Sequence, residues 1–219
     1  MKVKVIFFIL LTAFFCACND VQKLETKDGF AVITDAKKGE AVATYAGGCF
    51  WAMQECMLEL KGVNKVISGY SGGTKTNPSY NEVLSKTTGY AESVQVYYDP
   101  KVISFSKLTE AFFNSHDPTQ EDGQGPDLGS DYRSIAFYRS PSERIIIQNL
   151  IIKIDSVNGY NKPVVTEVVP FKIIYPAETE HQDYYRRNNW DQYIRNVSRK
   201  KVLKLRKTMP YLIKSEYKD

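Results

Sequence analysis

The chain has 219 residues, 43% of them hydrophobic, enough for one globular domain with a real core and too few for two large ones. Its 29 basic and 25 acidic residues give a formal charge of +4, and Lys2 and Lys4 of that excess lie in a leader described below. So even a balance points to no nucleic acid or other polyanionic partner.

The first 18 residues read as an export signal. Lys2 and Lys4 form a short basic start, and Val5 to Phe15 is apolar with only Thr12 interrupting it. At about 11 residues that stretch is too short to span a bilayer as a stable helix. Its end, Phe15-Cys16-Ala17-Cys18, resembles a bacterial lipobox, with small Ala17 before the acceptor Cys18 and Phe15 where Leu is usual. A plain cleaved signal is the alternative. A multiply acylated Cys18 would anchor the mature chain durably, so the expectation is a membrane-anchored lipoprotein working outside the cytoplasm, in the periplasm or cell envelope. Of four cysteines, Cys16 would leave with the signal and Cys18 would carry lipid, leaving Cys49 and Cys56. Two cysteines seven residues apart in an oxidising compartment suggest redox chemistry more readily than a structural staple.

Residues 19–40 are polar and charged and read as a tether with a short ordered stretch at Phe30 to Thr34. The domain is expected over 41–213. Ala41 to Ala46 reads as a strand ended by Gly47-Gly48. Phe50 to Leu60 places Phe50, Met53, Met57 and Leu60 at helical spacing, with Gly62 closing it. Val63 to Tyr70 is a strand, and Ser71 to Pro78 a loop by composition. Ser93 to Tyr98 alternates, with Val94, Val96 and Tyr98 on one face. Phe105 to Ser115 is a helix, and Asp117 to Ser130 a long loop of the kind that carries function. Ser134 to Arg139 is a strand. Ser140, Pro141 and Glu143 then open a helix with Ile147, Leu150, Ile151 and Ile154 inward. Val164 to Val169 is a strand, Glu178 to Asn188 a helix, and Ser198 to Thr208 a basic helix whose run Arg199 to Lys207 reads as a solvated face or a contact for an anionic surface. Strands and helices mix without a strict βαβ rhythm, so the expected class is α+β: a two-layer domain with a mixed β-sheet and flanking helices.

Cys49 stands where a Gly-Gly turn meets a helix, a place where unpaired N–H groups and the helix dipole favour a thiolate. Of the consecutive aromatics Phe50 and Trp51, at most one need enter the core, and the other can line a pocket. A buried, inert cysteine is the competing reading of the turn alone. The segments GGCFW, GYSGG, NPSYNEV, GYAESVQV, HDPT, GSDYRS and AETEHQDYY follow in order, from about Thr44 to His181 and more loosely to Tyr211. This collinear set resembles the A-type peptide methionine sulfoxide reductases.

The resemblance implies reduction of the S epimer of methionine sulfoxide, free or in proteins, through a Cys49 sulfenic acid. It implies that Phe50 and Trp51 pack around the substrate's S-methyl group and that Glu92 protonates the sulfoxide oxygen. Tyr80 and Tyr132 would donate hydrogen bonds to that oxygen, and Asp127 would hold a water beside it. No cofactor and no metal are implied, only an external, thioredoxin-like thiol reductant. With the leader, this becomes repair of oxidised extracytoplasmic proteins by a monomer. Chemistry agrees: a departing sulfoxide oxygen needs a proton, and a glutamic acid in an aromatic-lined pocket keeps its own through desolvation. His116 and His181, the only histidines, take supporting positions in this reading.

The chain departs from the family pattern at Tyr90, where His is frequent, at Ala52, where Gly is common, and in having no cysteine after Cys56. Cys56 is thus the one possible resolving thiol of the mature domain. On a continuous helix it would lie about 10.5 Å from Cys49 along the axis, whereas a disulfide needs Cα atoms within about 7 Å. Either the first turns unwind or an external thiol acts directly. Two other functions compete: a Cys-dependent hydrolase with His116 or His181 as base, and a non-catalytic peptide-binding lipoprotein. The two cysteines and two histidines match no common zinc spacing.

Overall fold

The computed structural model describes residues 24–26, 29, 31–157 and 160–218, so the leader with Cys16 and Cys18, like Phe30, lies outside the described residues. Leu24–Glu25 (β1) and Val32–Ile33 (β2) pair antiparallel. Ala31 is buried with Ile67 and Tyr97, against Ile33 and Val42. The Tyr97 hydroxyl donates to the Thr34 carbonyl at 2.9 Å and accepts from the Thr34 amide at 3.0 Å. From Leu24 onward, then, the stretch expected as tether includes a small hairpin laid on the domain.

The core elements follow in chain order: Ala41–Gly47 (β3), Phe50–Leu58 (α1), Val63–Ser71 (β4), Tyr80–Leu84 (α2), Ala91–Tyr98 (β5), Phe105–Ser115 (α3), Gly123–Gln124 (β6), Asp127–Leu128 (β7), Ser134–Tyr138 (β8), Pro141–Ser156 (α4), Glu167–Pro170 (β9), Ile174–Pro176 (β10), Tyr184–Arg187 (α5) and Arg199–Thr208 (α6). A six-stranded sheet has the order β10-β4-β5-β3-β8-β9. Its neighbours are antiparallel except for the parallel pair β8 and β9. The class is α+β, as expected. Val94 and Val96 of the central β5 are fully buried, in one cluster with Phe50, Met53 and Met57 of α1, Leu108 and Phe112 of α3, and Val202 and Leu205 of α6. Burying each such side chain contributes roughly 1.5–3 kcal/mol, so the helices are fixed to the sheet through the very helix that begins at Cys49.

Four expectations change. The helix expected over Glu178 to Asn188 is a short 3-10 turn, Thr179–His181, followed by α5. Asp183 interrupts it in the left-handed region (φ 52°), because its amide is drawn to the Gln54 side chain at 2.9 Å and Gln182 bonds back to both backbone groups of Ser68. The strand expected at Val164 shortens to β9. The long loop after Asp117 contains the small β6–β7 hairpin. In α4, Ile147 alone is fully buried, while Leu150, Ile151 and Ile154 are half-buried. Two elements had no counterpart in the sequence reading: β10, and α2, whose Ser79–Glu82 capping box was present in NPSYNEV.

The basic run is also more than a solvated face. Arg206 grips Glu59, which has no exposure, through two bonds of 2.7 and 2.9 Å, and Lys204 donates to the His116 carbonyl. Arg186 holds Glu55 at 2.6 Å, and the Lys214 amide and ammonium cap the Glu59 and Leu58 carbonyls. The C-terminal segment therefore straps the far end of α1. Replacing Arg206 by Met should strand a buried carboxylate and lower stability by about 3–5 kcal/mol, read as a lower urea midpoint with an unchanged slope; a midpoint that stays put would show the strap to be energetically idle.

Candidate active site

The edge of the site is made by the turn after β3. Gly48 has φ +86°, and a Cβ there would lie 2.5 Å from that of Gln124, so only glycine lets the chain reverse this close to β6. The next residue, Cys49, caps α1 and is 5% exposed. The Trp51 backbone N–H and the Tyr193 hydroxyl reach its sulfur and favour the anion. Burial and the neighbouring Glu92 outweigh them, so the thiol is pushed well up rather than down. The expectation of a resting thiolate is corrected: desolvation overcomes the helix start.

Glu92 is the second residue of β5 and 2% exposed. Its Oε2 accepts the Phe50 amide at 2.9 Å. Burial first, then Asp131 and Asp127, push its carboxyl up to about 8, against the Phe50 amide and Lys201. At neutral pH it holds its proton, as the sequence chemistry requires of an acid.

An aromatic box closes round this pair. Phe50 is fully buried, whereas Trp51 is half-buried and stacks on Tyr184 at 3.8 Å, with the Tyr193 ring edge-on at 5.8 Å. Tyr80 stacks on Phe50, and the His181 ring lies 4.2 Å from Tyr80 and 5.4 Å from Phe50. Glu178 fixes the wall by accepting the Tyr80 amide at 2.8 Å and the Tyr70 hydroxyl at 2.7 Å. The phenols of Tyr80 and Tyr132 are both raised, by burial first and then by Glu92, with Cys49 adding; they remain donors across the working pH range. Asp127 accepts the Tyr193 hydroxyl at 2.6 Å and lies 3.7 Å from the Lys201 ammonium.

Cys49, Phe50, Trp51, Tyr80, Glu92, Asp127 and Tyr132 thus converge, while Cys56 does not join them. It sits with no exposure in the core, six residues into the unbroken α1, and burial, Glu59 and Glu55 push its thiol up. His116 engages both ring nitrogens, with the Phe112 carbonyl and the Ser134 hydroxyl, and burial holds it down to about 4. Tyr90 turns away from the acid, bonding the Lys75 carbonyl at 2.7 Å and lying so close over Gly73 that a Cβ there would collide with its ring. Tyr193 and Lys201 were missed by the sequence reading: they lie beyond the last motif, in a stretch whose charge suggests only a surface. Glu178 and Tyr184 stood inside AETEHQDYY without an assigned role. Among the described residues, no group of three His, Cys, Asp or Glu side chains could hold a metal ion.

A sequence model of the family described as peptide methionine sulfoxide reductase matches residues 41–211. A peptide methionine sulfoxide reductase of Natronomonas pharaonis is 44% identical over 74% of this chain and 91% of its own length. One from Rhodopirellula baltica is 42% identical over 87% and 98%. Among solved structures, the reduced form of Mxr1 from Saccharomyces cerevisiae superposes with a TM-score of 0.66 at 32% identity, covering 73% of this chain and 91% of that one. The methionine sulfoxide reductase A of Corynebacterium diphtheriae gives 0.64 at 30% identity, over 71% and 78%. The chain belongs to the peptide methionine sulfoxide reductase family.

Because Glu92 rises from an ordinary 4.5 to about 8 on folding, the folded state binds the extra proton between those values. Stability from this residue is undiminished below about pH 4.5 and falls as pH rises toward 8. Glu92→Gln should therefore gain stability over the wild type progressively across that window in denaturant titrations; a constant difference would show that Glu92 ionises normally.

Proposed function

We propose that the chain is a thiol-dependent oxidoreductase that reduces the S epimer of methionine sulfoxide, free or in proteins, with Cys49 as nucleophile and Glu92 as acid. The observation that carries this is the 2.9 Å bond from the Phe50 amide to the Glu92 carboxyl, which sets a protonated acid beside the residue that bears the nucleophile, inside an aromatic box. The S-methyl group packs on Phe50 and Trp51. The oxygen meets Glu92, Tyr80 and Tyr132, with Asp127 holding a water next to it.

Glu92 gives its proton to the oxygen and takes up the one Cys49 loses as it attacks sulfur; the sulfoxide S–O bond breaks and the hydroxyl ends on the Cys49 sulfur. The thiol is oxidised by two electrons to a sulfenic acid, and the sulfoxide is reduced to the thioether. Because Glu92 exchanges one proton for the other, the dry pocket carries no net new charge once the step is complete. Two external thiols, from a thioredoxin-like protein, then return Cys49 to the thiol as they form a disulfide and water leaves. Cys56 supports this choice by its position in a strapped, unbroken α1. The oxygen wall, the methyl wall and the line of attack from Cys49 fix three directions at the chiral sulfur and leave one for its chain, hence one epimer.

The leader extends the proposal to place: Cys18 carries lipid, and the domain repairs oxidised extracytoplasmic proteins from a membrane tether. Among the described residues no helix is long and apolar enough to cross a membrane. Cys18→Ser should move the full chain from the membrane to the soluble fraction; continued sedimentation with membranes would refute the anchor.

Turnover should be confined to the S epimer and vanish in Cys49→Ser, while Glu92→Gln slows sulfenic acid formation by about 10²-fold or more. Equal use of both epimers would defeat the reading. Cys56→Ser should retain steady-state rates with small thiols and with thioredoxin, and a dimedone-type probe should label Cys49 after one turnover. An intact-mass loss of two hydrogens without labelling would instead establish a disulfide between Cys49 and Cys56.

A further inference from the structure

Lys201 has an arrangement that the reaction above leaves unused. It projects inward from α6, one residue before the fully buried Val202, although the helix is dominated by basic residues. One π-helical turn, Ile194–Ser198, leads into α6, and the extra residue of such a turn rotates the following positions about the axis. The side chain is 14% exposed, and its ammonium is buried with no hydrogen-bond partner; the nearest opposite charge is Asp127, at 3.7 Å. The same nitrogen lies 3.2 Å from where a Cβ on Gly48 would stand, which places it directly behind the turn that presents Cys49. An under-bonded buried ammonium is costly unless something compensates it.

Glu92 from β5, Tyr193 before α6 and Lys201 from α6 act on the Cys49 sulfur, and the phenols of Tyr80 from α2, Tyr132 before β8 and Tyr184 from α5 are in turn raised by it. Lys201 is the cation among them. Asp127 screens part of its charge but leaves ammonium protons unbonded.

We propose that Lys201 is a positioning residue for the reaction, the resident counter-charge that stabilises Cys49 as an anion when the thiol gives up its proton to attack the sulfoxide. In the resting enzyme, burial keeps the thiol neutral. As the proton departs, the ammonium, ion-paired to Asp127 but free of hydrogen bonds, stands ready within the pocket, so no ion or water need enter. The proposal rests on the assigned role of Cys49, but alkylation of that thiol can be followed without any turnover.

The test is the pH dependence of Cys49 alkylation by iodoacetamide, in a Cys56→Ser background, comparing wild type, Lys201→Met and Lys201→Arg. Removing the cation should move the alkylation midpoint upward by about one unit, a roughly tenfold slower reaction at any pH below it, and Arg should restore most of the rate. The alkaline limb of reductase activity, set by Glu92, should move up as well, since the same charge opposes protonation there. kcat should fall more than KM. Lys201→Gln, which keeps a polar head, is the second neutral variant if Met unfolds the domain. Unchanged alkylation profiles in a folded neutral variant would overturn the proposal and reduce Lys201 to the ion-pair partner of Asp127. If wild type alkylates normally yet reduces no sulfoxide, the functional reading fails instead.

Discussion

The bond between the Phe50 amide and the Glu92 carboxyl ties together two things that water would separate: a helix start and a neutral acid. A free N–H at a helix start seeks an acceptor, and here it finds one on the central strand of the sheet. The carboxyl, sealed under Phe50, Tyr80 and Tyr70, has little means of shedding its proton. The acid therefore orders the helix start, while burial keeps the carboxyl protonated against the pull of that N–H. The hydrophobic packing of α1 against β4 and β5 sets the distance, and the acid's protonation follows from that packing rather than from any single neighbour.

Much of this was legible in the chain, for identifiable reasons. Ser140 caps α4 as its sequence implies, and the alternation of Val94, Val96 and Tyr98 is the inner face of β5. The seven short motifs held six of the seven converging residues, each on a rigid element or a tight turn that fixes its direction, while Asp127 stands between two motifs in the long loop. What stayed hidden is of another kind. The break at Asp183 depends on Gln54 and Ser68, more than a hundred residues away, and no local pattern announces it. The inward turn of Lys201 depends on one π-helical turn, which a run of basic residues conceals. The state of Cys49 was misjudged because the helix start is visible in sequence and the depth of burial is not.

The same comparison explains the two cysteines. Both are buried and both are raised, yet they differ in what surrounds them. Cys49 has the Trp51 amide and the Tyr193 hydroxyl at its sulfur with Glu92 beside it, whereas Cys56 lies among the carboxylates of Glu55 and Glu59 and the cations of Lys201 and Arg206. Donors at a sulfur favour its anion, so on the proposed reading the hydrogen bonds at the thiol, more than spacing, divide the two positions.

The strap over α1 has a kinetic meaning. A C-terminal segment anchored through Arg206, Lys214 and the Leu60–Ile213 bridge is fixed in place, and it brings no thiol of its own to the site. On the proposed reading, in which Cys49 passes through a sulfenic acid resolved from outside, the lifetime of that species would be set by encounter with another molecule and would scale inversely with the supply of reductant. When reductant is scarce and peroxide abundant, the oxidised sulfur waits within reach of the irreversible sulfinic step. Under that reading, rigidity at the far end of one helix would make the catalyst a consumable whose life depends on its neighbours' thiols.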